Sequence, residues 1–227
     1  MKLTKNQRSL IERVINTAET GTPDGNYSAI SIYADGPHDI RQITYGRAQT
    51  TEYGNLRKLV HMYVAANSTY SSALAPYADK VGSTPLTNDA NFKKLLRNSG
   101  KNDPVMKNIQ DQFFEEVYFT PAMKWADNNG FTKALSALII YDSHIHSGGI
   151  LWVIRSMFNE SPPASGGNEE VWIKDYTFAR NKWLLNHHRS AVRASAYRTK
   201  AYLAQITKNN WDLGTVPVNM NGTDVMP

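Results

Sequence analysis

Residues 131–146 read FTKALSALIIYDSHIH, and the fold turns on that stretch. It is too long for one strand, contains neither Gly nor Pro, and is apolar on nearly every face through its middle. A helix of that kind is buried all round. The sequence therefore predicts a buried central helix near 131–146, stopped by Gly148-Gly149. One residue resists this environment. Asp142 puts a carboxylate in an apolar helix, and an unpaired buried charge is costly, so a cationic partner is expected.

Working outward, Ser161-Pro162-Pro163-Ala164-Ser165-Gly166-Gly167 is the clearest loop, and helices are expected near Asn168–Asn186 and Arg189–Lys208. Upstream, Thr120-Pro121 has the form of an N-cap followed by proline at the first helical position, and Gly130 closes that helix. Apolar stripes through Leu56, Leu59, Val60, Tyr63 and Val64, through Phe92, Leu95 and Leu96, and through Val105, Ile109, Phe113 and Val117 predict three more helices. The first helix carries Leu10, Ile11, Val14, Ile15 and Ala18, opens on a Thr4/Gln7 capping box and stops at Gly21 and Pro23. Between it and Leu56, the runs Tyr27–Tyr33 and Ile40–Tyr45 flank the turn residues Asp35-Gly36-Pro37 and predict a small antiparallel sheet. The class is α+β, predominantly α-helical, in one domain spanning 1–227.

Composition narrows the function. A chain of 227 residues, 41% hydrophobic, buries a sizeable core. No apolar run approaches the roughly 18 residues of a membrane span. The start, Met1-Lys2-Leu3-Thr4-Lys5, lacks the apolar segment of a secretory signal, so either the protein stays inside the cell or this is a mature secreted domain with a start methionine. The net charge of +5 fits an anionic partner or an ordinary basic surface, but no basic tail suggests nucleic acid. There is no Cys, hence no thiol nucleophile, and Gly-x-Ser-x-Gly is absent. His144 with His146, and His187 with His188, lack the i, i+4 spacing of helical metal ligands, and no Gly-rich phosphate loop occurs. Neither a metal nor another cofactor is implied.

Two carboxylates remain of interest. Glu19 sits at the end of the first helix, where the negative pole of the macrodipole disfavours its ionised form. In a cleft it would be an acid held protonated; on a frayed helix end it would be an ordinary surface residue. Asp35 follows sixteen residues later at the turn leaving the first strand. It reads either as a common Asp-Gly turn or as the second carboxylate of an inverting glycosidase, which needs roughly 6.5–9.5 Å between the carboxyls to hold a water.

Several motifs then fall in one order. Glu19 precedes Tyr27, seven residues separate Tyr27 from Asp35, and Gly36 follows. The stretch VYFTPAMK at 117–124 leads to Asp127-Asn128-Asn129-Gly130, and Ala134-Leu135 leads to Tyr141-Asp142. In this the chain resembles the family-46 chitosanases, lysozyme-like enzymes that hydrolyse β-1,4-linked glucosamine polymers with inversion. The resemblance implies two lobes joined by the central helix, with the small sheet beside a cleft. It implies Glu19 as general acid and Asp35 as general base, with Arg180 and Arg198 linking Asp142 to Glu19. It further implies Tyr27, Asp39 and Glu52 as substrate-binding, Glu52 standing where the family has an Asp that pairs with a glucosamine ammonium. Family members follow the catalytic Asp with Gly-Arg-Gly-Tyr-Thr, whose Thr helps hold the attacking water. Here Arg41 falls at that position, and Thr44 is the expected substitute, with His38 or Asp39 sharing the role. A secreted, monomeric enzyme acting on chitosan is the expectation. The alternatives are a lysozyme-like hydrolase of a peptidoglycan-type glycan and a non-catalytic glycan-binding relative.

Overall fold

The computed structural model describes residues 1–47 and 49–227. In chain order the helices are α1 (Lys5–Thr20), α2 (Leu56–Ala65), α3 (Ser71–Ala78), α4 (Ala90–Asn102), α5 (Pro104–Phe114), α6 (Thr120–Asn128), α7 (Ala134–Ser147), α8 (Trp152–Arg155), α9 (Glu169–Leu185), α10 (Ser190–Ala194) and α11 (Tyr197–Thr207). The strands are β1 (Ile30–Tyr33), β2 (Gln42–Tyr45), β3 (Thr50–Thr51), β4 (Val218–Met220) and β5 (Thr223–Val225). The protein is thus a predominantly helical α+β protein with small antiparallel sheets.

The chain divides into two compact units. The first comprises Met1–Pro23 and Glu116–Pro227, and the second Asp24–Glu115. The chain passes between them at 23–24 and 115–116, and α7 belongs to the first, as that unit's core.

In the first unit, Ala134 to Ser143 of α7 are buried without a break, as the apolar run requires. Each fully buried Leu or Ile contributes roughly 1.5–3 kcal/mol. Glu169, from the first turn of α9, ties down the segment that leads into α7, while the Leu135 amide in the helix's first turn donates to the Trp211 carbonyl at 3.0 Å. The Glu169 carboxylate accepts from the amides of Thr132 (3.0 Å) and Lys133 (2.8 Å) and from the Ser136 hydroxyl (2.6 Å). An anion there also suits the helix dipole. Gly148 closes α7 at φ 76°, a left-handed value that a residue with a Cβ rarely adopts. α1 has the expected Thr4/Gln7 capping box and ends at Gly21 in the same left-handed form. Around Trp172 an aromatic cluster gathers Phe131, Phe158 and Tyr176 with ring centroids 4.9, 5.3 and 5.1 Å away.

In the second unit, β1, β2 and β3 form an antiparallel sheet in that order, with Ile30 opposite Tyr45 and Ile32 opposite Ile43. β2 is buried along its whole length. The Tyr45 hydroxyl donates to the Leu96 carbonyl of α4 at 2.7 Å. Gly100 permits the close approach of that helix to the Tyr27 backbone, since a Cβ there would lie 2.2 Å from the Tyr27 oxygen.

Candidate active site

The first unit assembles a buried charge network from four elements. Glu19 stands in the last turn of α1, and only 12% of its side chain is exposed. Arg198, in the first turn of α11, donates through Nη2 to Glu19 Oε1 and through Nη1 to Asp142 Oδ1. Asp142, near the end of α7, accepts on its other oxygen from Arg180 Nη1 of α9 at 2.6 Å. Asp142 is fully buried, and so is Arg180. Tyr197, next to Arg198, donates to the Ala18 carbonyl at 2.6 Å and so ties the start of α11 to the last turn of α1. The cationic partner that Asp142 required is therefore a pair of guanidiniums, and the network reaches Glu19.

The electrostatics separate the two acids. Burial raises the Glu19 carboxyl above the usual range; Arg198 opposes this, and the neighbouring Asp142 anion adds to it. Burial also pushes Asp142 upward, but Arg198 and Arg180 together outweigh it and hold its carboxyl well below the usual range. The same network thus shifts the two carboxyls in opposite directions, Glu19 upward and Asp142 downward. His146, one turn beyond Asp142, is pushed down to about 3 by burial and by Arg198 and Arg180, so its ring is neutral at ordinary pH. Sequence reasoning had set it aside with the other histidines.

In the second unit, Asp35 lies in the turn after β1, half-buried, and accepts from Gln42 Nε2 at 2.9 Å. Gln42 in turn accepts from the Tyr53 amide at 3.2 Å, which fixes the face it presents. Gly36 follows Asp35 for a steric reason: a Cβ there would meet the Ile40 carbonyl at 2.7 Å, where the turn closes through Gly36 N–H at 3.0 Å. Gln42 was missed in the sequence. The available signal was a polar residue two positions before Thr44, hence on the same face of a buried strand.

The other expected site residues fall differently. Glu52 does not face solvent: it is wholly buried, and its oxygens accept from the amides of Ile43 (3.0 Å) and Leu86 (2.7 Å). The expectation that it pairs with a substrate ammonium is corrected, because its role is to satisfy backbone donors. Thr44 is 5% exposed and donates to Gln49 Oε1 at 2.8 Å, so its hydroxyl belongs to the sheet rather than to a water beside Asp35. Tyr27 is half-buried, and its hydroxyl donates to Asp111 at 2.8 Å beside Arg47. Asp39 is exposed in a turn where both it and His38 have positive φ, at 60° and 55°. Among the described residues, no group of three or more His, Cys, Asp or Glu side chains is placed to hold a metal ion.

Known proteins with similar sequences and structures point one way. The chitosanase of Bacillus subtilis (strain 168) is 27% identical over 237 residues, covering 96% of this chain and 84% of that protein. A mutant chitosanase from Bacillus subtilis MY002, solved complexed with 6 GlcN, superposes with a TM-score of 0.84 at 25% identity over the full length of both chains. The Gynuella sunshinyii GH46 chitosanase in complex with chitotetraose gives a TM-score of 0.86 at 23% identity, over 100% of this chain and 99% of that one, and supports the fold. The family model for glycosyl hydrolase family 46 matches residues 13–218, nearly the whole chain, so the protein belongs to glycosyl hydrolase family 46.

Proposed function

We propose that this glycoside hydrolase cleaves β-1,4 bonds between glucosamine units within chitosan chains, with inversion, using Glu19 as general acid and Asp35 as general base. The observation that carries the reading is the nearly buried Glu19 carboxyl, 12% exposed and hydrogen-bonded to the Arg198 guanidinium that Asp142 braces, with burial raising its pKa. With Glu19 neutral, the network of Glu19, Asp142, Arg180 and Arg198 carries one net positive charge. Transfer of the Glu19 proton to the leaving glycosidic oxygen makes the network neutral, so the charge that develops on Glu19 meets a cation already in place. Asp35, oriented by Gln42, takes a proton from the attacking water. One carbon–oxygen bond forms as the other breaks, and configuration inverts. The chitosan assignment draws on the chitosanases to which the chain is similar. Secretion and action as a monomer complete the proposal; no helix among the described residues is long and apolar enough to cross a membrane.

The test is incubation with chitosan, chitin and peptidoglycan, with product sizing and early NMR of the new reducing ends. Shorter glucosamine oligomers released first as the α-anomer are expected. Initial β-product would overturn inversion, and release from peptidoglycan alone would overturn the substrate.

A further inference from the structure

Helix α9 has two faces. Its inner face buries Trp172, Ile173, Tyr176 and Thr177 together with Arg180 of the charge network. Its outer face leaves Phe178 53% exposed, although burying an aromatic ring is among the largest stabilising contributions open to a side chain. Phe178 lines a groove of about 740 Å³ between α9 and the segment 157–160, a volume within the usual range of ligand sites. Glu19, Asp142, Arg180 and Arg198 do not line it.

The groove wall is held in place from behind. Arg155 donates to the carbonyls of Phe158 and Glu160, each at 2.9 Å, and Glu160 Oε1 accepts from the Asn168 amide at 2.6 Å. The second Glu160 oxygen and the half-buried Asp175 carboxylate carry no hydrogen bond or ion pair among the described residues. With Lys182 also lining the groove, its charged side chains sum to one negative charge, on a protein whose net charge is +5.

We propose that this groove is a second glycan site, which holds glucosamine units of a long chain away from the reacting bond. An apolar sugar face stacks on Phe178 while a 2-ammonium pairs with Asp175 or Glu160. Asparagine side chains at 159, 181 and 186 offer amides to the hydroxyls. A purely apolar partner leaves the carboxylates unanswered, and an anionic one is repelled by them, whereas a polyamine sugar satisfies both features. The choice of ligand rests on the chitosan reading above.

The experiment compares the parent with Phe178→Ala, Asp175→Asn and the double variant on long-chain chitosan and on a glucosamine hexamer. Phe178 is exposed, and the Asn replacement at half-buried Asp175 is isosteric, so melting temperatures should match the parent. The double variant should show KM for the polymer raised about tenfold and KM for the hexamer unchanged. Unchanged KM on both substrates, or an equal rise on both, would overturn the second site while leaving the chitosan reading intact. A parent inactive on both substrates would sink the chitosan reading itself. A dimer of the parent in solution that Phe178→Ala dissociates would also overturn the proposal, by giving this face to a second copy.

Discussion

Replacing Asp142 with Asn removes one charge and almost no volume, and the structure fixes what should follow. Two buried guanidiniums lose their shared anion. Arg180 suffers most, because Nε and Nη2 have no hydrogen-bond partner among the described residues and its charge is met by Asp142. Arg198 retains Glu19. Leaving one buried charge uncompensated costs about 3–5 kcal/mol, a fifth or more of the roughly 5–15 kcal/mol that holds a typical domain folded. At about 2–4 °C per kcal/mol for a chain of this size, the melting temperature should fall by about 6–20 °C. The second readout is kinetic. The Asp142 anion helps to raise the Glu19 carboxyl, and its loss also leaves Arg198 to act on Glu19 alone. Glu19 should then ionise at lower pH, and the basic limb of the pH profile of kcat/KM, where the acid loses its proton, should move toward lower pH. Calorimetry and a pH–rate series on the same preparation check both. A melting temperature within about 2 °C of the parent, or a basic limb that stays or moves upward, would refute the reasoning.

Glu19→Gln should lower kcat by about 10²–10⁴-fold. Because burial raises the Glu19 pKa, this group contributes stability below its unfolded value near 4.5 that is lost as pH rises through the higher folded value. The Gln variant should therefore melt no lower than the parent at pH 7. Asp142 has the opposite sign, its contribution present above its unfolded value of 3.8 and lost only as pH falls through the lower folded one, so acid unfolding of the parent should lie below about pH 4. Glu52→Ala should destabilise by about 1–3 kcal/mol per orphaned amide, read by urea denaturation, with KM for chitosan unchanged. Gln42→Ala should lower kcat about tenfold with little change in KM, because it removes a hydrogen bond that orients the Asp35 carboxylate without touching its charge.

Much of the fold was legible because local chemistry decided it. The apolar run at 134–143 admits only a buried helix, and Gly21 and Gly148 end α1 and α7 where left-handed backbone is needed. Asn168 caps α9, bonding the amides of Glu170 and Val171, at the residue where the sequence placed its start. What stayed hidden depends on partners distant in the chain. The expected helix over Arg189–Lys208 breaks into α10 and α11 at Ser195-Ala196, with no Gly or Pro to announce it. The β4–β5 hairpin was not read at all, since three-residue strands leave almost no periodicity. In the site, the need of Asp142 for a cation was readable from burial alone, whereas Arg180 and Arg198 came from resemblance. Glu52 shows the converse: a carboxylate amid polar neighbours in sequence is enclosed by the fold, and only the amides of Ile43 and Leu86 reveal its task.

The division of the chain also sets an order of assembly. Residues 24–115 are contiguous, so their unit is complete while the rest is still being synthesised, whereas the unit that begins at Met1 waits for its other part. The bond between Glu19 and Arg198 spans 179 residues and is among the last long-range contacts available to the growing chain. Until α11 emerges, Glu19 lacks the Arg198 guanidinium, and a chain broken before residue 198 contains a whole second unit but not this ion pair. The pairing of Glu19 with its guanidinium is thereby coupled to synthesis of the chain as far as α11.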